Sequence, residues 1–232
     1  MRGEERARRI FSTAREEKRS YVLEYEVKEI LKGYDIDVTK EVVCKTVDEA
    51  VQVAKNIGFP IVLKIVSTEV VHKSDSGGVK LGIKSEEELK AEFDKMLALY
   101  SGKFSAEALK GISVQEMVSG EEVIIGVLKD SQFGHMMMVG MGGVFVEVFK
   151  DVAYRLAPIT EAEAMEMLKE LKGFRLLDGY RGRKPANVKS LCETLSRVST
   201  ALEELPEIKE MDLNPVFVND KRAVIADGRI FI

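Results

Sequence analysis

The sequence has only two histidines and two cysteines among its 232 residues. Cys44 and Cys192 stand far apart and form no CxxC pair, which excludes a disulfide framework and a thiolate zinc site. No apolar run is long enough to span a bilayer and no signal-peptide pattern is present, so the expected compartment is the reducing cytoplasm. There is no internal repeat, low-complexity tract or flexible linker. No charge sign dominates: the formal net charge is -4, too small to draw the chain toward nucleic acid or a membrane surface. No GxxxxGK[ST] occurs, so a Walker-type phosphate loop is also excluded.

What is present is a globular composition, 45% hydrophobic and 32% charged, long enough for one large domain or two smaller lobes. Lys, Glu and Arg are abundant while Gln and Asn are scarce, a balance that leans toward a thermophilic source. Residues 3–19 are charged and helix-prone with few apolar positions, Ile10 and Phe11 among them. Two readings stay open for them: a solvated, frayed helix, or an arm lying on a partner subunit. Val22, Tyr25, Val27, Ile30 and Leu31 are spaced as on a helix that Gly33 is placed to stop. Thr46 and Glu49 form a capping box for a helix ending at Gly58 and Pro60. Leu89, Phe93, Met96, Leu97 and Tyr100 line one face of another helix. Strands are expected over "DVTKEVVCKT", "IVLKIV", "GVKLGIK", "GISVQEMV", "EVIIGVLKD", "GHMMMVGMGG" and "VFVEVFKDVAYRLAP". Two helices follow, and two C-terminal strands close around the turn Asn219-Asp220. This order gives an α+β fold of largely antiparallel sheets with helices packed against them, in two lobes meeting near residue 114.

Several residues could carry chemistry. Lys64 lies among Ile61, Val62, Leu63, Ile65 and Val66; alternation could turn it to solvent, or aim a cation into a cleft at phosphate oxygens. Gly77-Gly78 is either a hairpin turn or a place where backbone N–H groups approach a phosphate. His72 sits between them, followed by Ser74, Asp75 and Ser76. The "GMGG" of Gly140–Gly143 is followed by β-formers, so it offers no helix N-terminus to a pyrophosphate. Met136, Met137 and Met138 read as core strand residues, and His135 as structural. Asp212 and Asn214 are two apart and point to one strand face, where Asp227 can come alongside on the return strand. Such hard oxygen ligands suit Mg²⁺ held partly by nucleotide phosphates; turn chemistry around Pro215 and Gly228 is the plainer reading.

Four stretches in order, "FPIVLKIVSTEVVHKSDSGGVKLG", "VQEMVSGEEVIIGVLKD", "FGHMMMVGMGGVFVEVFKDVAYRLAP" and "EMDLNPVFV", give residues 21–232 a specific resemblance. They resemble the ATP-grasp unit of the acyl-CoA synthetase superfamily, and within it the small β subunit of the archaeal-type ADP-forming acetyl-CoA synthetases. The related succinyl-CoA synthetases normally lack a histidine in this glycine loop of the β subunit. The resemblance implies an ATP-grasp fold whose two lobes clasp a nucleotide. Residues 1–20 would be an N-terminal extension, 21–42 with 114–232 the larger lobe, and 43–113 the smaller. It implies that Lys64 binds nucleotide phosphates beside Gly77 and Gly78. Gln115 to Val118 would be the hinge, where the C=O of Glu116 and the N–H of Val118, around Met117, read the adenine edge. Glu122 would hold the ribose hydroxyls. Asn214 and Asp227 would ligate Mg²⁺, and Asp212 would either join them or orient His72.

The resemblance also gives His72 a task. Neutral imidazole is a good nucleophile toward phosphorus and a good leaving group from it. In the family, a partner α subunit carries the CoA and acyl sites, and the implied assembly is α2β2. A phosphoryl group passes from acyl phosphate to an α-subunit histidine, then to the β-subunit histidine, then to ADP. The sum is acyl-CoA + ADP + phosphate ⇌ carboxylic acid + ATP + CoA. The rivals are an ATP-grasp ligase that forms an acyl phosphate without a histidine carrier, a succinyl-CoA synthetase-like β subunit, and a nucleotide-binding regulatory module without turnover.

Overall fold

The computed structural model describes residues 3–69, 77–105, 107–143, 150–182 and 184–232. The chain divides into two compact units, Met1–Val38 with Val118–Ile232, and Thr39–Met117.

The smaller unit is a four-stranded antiparallel sheet backed by two helices. Its strands are β2 (Glu41–Cys44), β3 (Ile61–Ser67), β4 (Val79–Ile83) and β5 (Leu109–Glu116), in the order β2-β5-β3-β4. The helices are α3 (Val47–Ile57) and α4 (Glu86–Ser101). The expected capping box starts α3: Thr46 Oγ1 accepts from the Glu49 N–H, and Glu49 accepts from the Thr46 N–H. Ile61, Leu63 and Ile65 of β3 and Ile112 and Val114 of β5 join Leu89, Phe93, Met96 and Tyr100 of α4 in one core. The alternation of β3 and β5 therefore gives one face to the helices and turns Val62, Lys64, Ser113 and Gln115 to the other.

The larger unit is built on a seven-stranded sheet with the order β1-β11-β9-β6-β7-β8, and β10 paired to β9. The strands are β1 (Tyr21–Val22), β6 (Glu121–Asp130), β7 (Gly134–Met141), β8 (Val152–Leu156), β9 (Glu210–Val218), β10 (Ala223–Ile225) and β11 (Gly228–Phe231). Its helices are α1 (Gly3–Glu16), α2 (Glu24–Lys32), α5 (Glu161–Lys169), α6 (Phe174–Leu177) and α7 (Val188–Glu204), with a short 3-10 turn at Tyr180–Gly182. Val123, Ile125 and Val127 of β6 alternate into the helix-packed core, with Met137, Val139 and Met211. Leu128, Met138, Glu210, Asp212 and Asn214 lie outside it.

The N-terminus departs from both sequence readings. α1 is neither frayed nor an arm: Ala7, Phe11 and Ala14 are fully buried in the core of their own unit. Arg8 bonds both Glu4 and Glu207. Two glycines let α1 and α2 touch, because a Cβ on Gly3 would come within 2.7 Å of the Gly33 carbonyl oxygen. Gly33 itself is right-handed at φ -66, so close approach and not a left-handed cap requires it. Val22 also leaves the expected helix. It lies in β1, where Tyr21 and Val22 pair with Phe231 and Ile230. α2 starts only at Glu24, after the Glu26 carboxylate takes the Leu23 N–H and two Arg19 bonds.

Candidate active site

Lys64 is buried, at 5% exposure, on the face of the smaller sheet turned away from α3 and α4. This decides against the solvent-facing reading. Its ladder neighbours are Ser113 on β5 and Val79 on β4. An ammonium in such a place is costly unless anions meet it. The glycine pair lies next to it: the Gly78 carbonyl accepts from the Ile65 N–H at 2.8 Å, and Gly77 turns the chain at φ 75, a left-handed conformation that favours glycine. His72 lies outside the described residues, as do Ser74, Asp75 and Ser76.

The segment expected to be the hinge contains the divide between the units, which falls between Met117 and Val118. Glu116 ends β5, and its N–H is taken by the Lys40 carbonyl at 2.9 Å. Met117 is exposed. Glu122, near the start of β6, keeps its side chain in the open. The "GMGG" glycines serve this neighbourhood. The Gly142 N–H donates to the Glu122 carbonyl, and a Cβ on Gly142 would come within 2.7 Å of the Glu122 Cβ. A Cβ on Gly140 would lie 2.8 Å from Val152 on β8. Gly140 and Gly142 answer close strand packing, not a dinucleotide turn.

The three acidic and amide candidates come together at an irregularity in the larger sheet. Leu213 pairs with Ile125 and Val216 with Val123, so β9 uses one residue more than β6 over this stretch. Such a bulge re-aims side chains. Asn214 and Pro215 occupy it. On the other side of β9 the expected single return strand is broken: β10 ends at Ile225 and β11 begins at Gly228. The break is tied to the bulge, since Asn214 N–H donates to the Asp227 carbonyl at 3.2 Å and Ala226 N–H to the Pro215 carbonyl at 3.0 Å. Asp212 lies one pleat away, flanked in the ladder by Arg229 and Gly126. Gly126 leaves room beside it that Met138 fills, its Cε 2.9 Å from where a Gly126 Cβ would stand.

The Asp212 carboxyl is held above its usual range. Desolvation by the surrounding protein is the largest cause; Asp227 and Glu210 add to it, and Arg229 pulls the other way. Crowded negative charge of this kind is what a divalent cation relieves. Among the described residues no group of three His, Cys, Asp or Glu side chains could hold a metal. Two carboxylates and one amide fit Mg²⁺, which takes few protein ligands and fills its remaining positions with phosphate oxygens and water.

Other candidates fall away. His135 is structural: it is buried, and its Nε2 lies 2.8 Å from the Ile208 carbonyl oxygen. Of Met136, Met137 and Met138, only Met137 is in the core, while the other two lie half-buried on the opposite face. Burial pushes the Cys44 and Cys192 thiols up to about 11, with Glu49 adding to the first and Glu161 and Glu193 to the second, so neither supplies a thiolate nucleophile near neutral pH. Sequence reasoning missed Ser113 and Asp151. Ser113 carries the same signal as Lys64, a polar residue inside an apolar strand. Asp151 is buried and accepts from the Lys172 and Gly173 N–H groups, both at 2.8 Å, pinning the corner before α6 to the start of β8. Nothing local in the sequence marks that long-range bond.

Three kinds of comparison bear on this arrangement. A family model described as an ATP-grasp domain matches residues 13–232. The β subunit of acetate–CoA ligase [ADP-forming] I from Pyrococcus furiosus is 42% identical over 98% of both chains. Acetate–CoA ligase [ADP-forming] I of Archaeoglobus fulgidus is 46% identical over 88% of this chain, a stretch that makes up 30% of that longer protein. Among solved structures, acetyl-coenzyme A synthetase 1 of Candidatus Korarchaeum cryptofilum, in complex with coenzyme A and Ca-AMPCP, superposes with a TM-score of 0.91 at 43% identity, over 97% of this chain and 99% of that one. In another structure of that protein, with Mg-AMPPCP, a phosphohistidine segment points towards the nucleotide binding site (TM-score 0.85, 40% identity, 97% and 99% coverage). Among the described residues no helix is long and apolar enough to cross a membrane.

Proposed function

Since the chain belongs to the ATP-grasp β subunits of the ADP-forming acetate–CoA ligases, we propose that it binds ADP and Mg²⁺ and passes a phosphoryl group between a partner α subunit and the nucleotide. The observation that carries this reading is the end-to-end match to a protein that is itself a β subunit, 98% of each chain. The reaction is acyl-CoA + ADP + phosphate ⇌ carboxylic acid + ATP + CoA, in an α2β2 assembly with the CoA and acyl sites on the α subunit.

The residues divide the work. The backbone at Glu116 and Val118 reads the adenine edge, and Glu122 takes the ribose hydroxyls. Lys64 and the backbone of Gly77 and Gly78 hold phosphate oxygens; the burial of Lys64 supports this, because the cation is then strengthened as a phosphate ligand. Asn214 and Asp227 would hold Mg²⁺, with Asp212 beside them. When bound, the ion would offset phosphate charge and so lower the repulsion an incoming phosphoryl group meets. His72 is the carrier. Its neutral ring nitrogen gives its lone pair to phosphorus as the bond to the α-subunit histidine breaks. A terminal oxygen of ADP then attacks that phosphorus, the P–N bond breaks, and its electron pair returns to the imidazole. Asp212 either joins the Mg²⁺ ligands or orients the ring.

The test is reconstitution. The chain combined with a family α subunit is expected to form ATP from acetyl-CoA, ADP and phosphate, with the α subunit alone forming none. ATP formation by the α subunit at an equal rate without this chain would contradict the proposal.

A further inference from the structure

The face of the smaller sheet turned away from α3 and α4 holds a buried polar group that the proposed function does not use, Ser113. Ser113 stands directly opposite Lys64 in the β3–β5 ladder, so both side chains leave the sheet on the same side. That side is the one away from the core formed with α3 and α4. Val43 of β2 flanks Ser113 and Val79 of β4 flanks Lys64, so the row reads Val43, Ser113, Lys64, Val79. Ser113 is 0% exposed, and its Oγ has no hydrogen-bond partner among the described residues. Its chain neighbours Ile112 and Val114 are also fully buried. A buried hydroxyl without a partner is destabilising, and alanine would fill this strand position without that penalty. Beside a lysine that the proposed function assigns to phosphate, such a hydroxyl marks a place where the same anion supplies the missing acceptor.

We propose that Ser113 is a phosphate ligand of the nucleotide: its Oγ–H donates to a phosphate oxygen of ADP that Lys64 also contacts. This rests on the reading of Lys64 as the phosphate lysine. The contact is a hydrogen bond alone, with no covalent step.

The experiment measures ADP and adenosine affinity by displacement of a fluorescent ADP analogue from the full chain. Ser113→Ala, Ser113→Cys, Ser113→Thr and Lys64→Ala are compared with the wild type. Loss of a hydrogen bond to a charged group predicts that Ser113→Ala and Ser113→Cys weaken ADP by at least about tenfold and leave adenosine within about twofold. Ser113→Thr, which keeps the hydroxyl, restores most of the ADP affinity. The apo thermal midpoint of Ser113→Ala stays at or above wild type, so the loss is not misfolding. If the Ala and Cys variants both bind ADP like wild type while Lys64→Ala is weakened, Ser113 is no phosphate ligand. If Lys64→Ala also binds ADP like wild type, the phosphate reading of this face fails, and the proposal for Ser113 falls with it.

Discussion

Asp212 is placed against its own stability. Its carboxyl sits above the ordinary carboxylate range because the surrounding protein desolvates it and Asp227 and Glu210 repel its charge. An acid whose folded pKa is raised holds its proton longer in the folded than in the unfolded state. Stability from this group is therefore highest below the unfolded value near 4, falls as pH rises through the folded value, and stays low above it. Asp212→Asn removes that penalty and is expected to raise the apo melting temperature at pH 7 and to flatten its decline between pH 4 and 7. Thermal melts across that range check it; a lower melting temperature at pH 7 would mean the carboxylate is paired favourably instead. The residue-scale chemistry was partly legible in the sequence. The i, i+2 spacing set Asp212 and Asn214 on one face, away from the core residues Met211 and Leu213. The bulge that holds Asn214 against Asp227 was not legible, because it depends on how β9 registers with β6 and β10.

At the scale of elements, hydrophobic periodicity located the long helices, since α4 buries Leu89, Phe93, Met96 and Tyr100 as their spacing predicted. It failed where a short apolar run could belong to either period. Val22 follows helical spacing, yet pairing with Ile230 at the sheet edge makes it strand. α1 was the larger departure. Its apolar positions are few, but Ala7, Phe11 and Ala14 recur at helical spacing, and small alanines bury a face that a count of large residues overlooks. Phe11 is its one fully buried aromatic. Phe11→Ala is expected to destabilise the larger unit by about 3–5 kcal/mol, the usual cost of an emptied aromatic site. Urea unfolding followed by far-UV circular dichroism measures it, and a loss under about 1 kcal/mol would mean that α1 does not dock as a core element.

On the scale of the whole molecule, the chain is two units, each with its own core and its own set of candidate residues. Lys64, Gly78 and Ser113 belong to the smaller; Glu122, Asp212, Asn214 and Asp227 belong to the larger. The fold class and the family were legible because four motifs stand in a fixed order along the chain, and the family match from residue 13 to 232 spans all of them. What spacing along a chain does not encode is which buried polar atoms lack partners, so Ser113 emerged only from the ladder. The central claim is that this chain carries a phosphoryl group on His72. Incubated with [γ-³²P]ATP and Mg²⁺, the wild-type chain is expected to take up label that acid releases and base does not, while His72→Ala takes up none and still binds ADP. Equal labelling of His72→Ala, or label on the wild type that survives acid, would contradict the account.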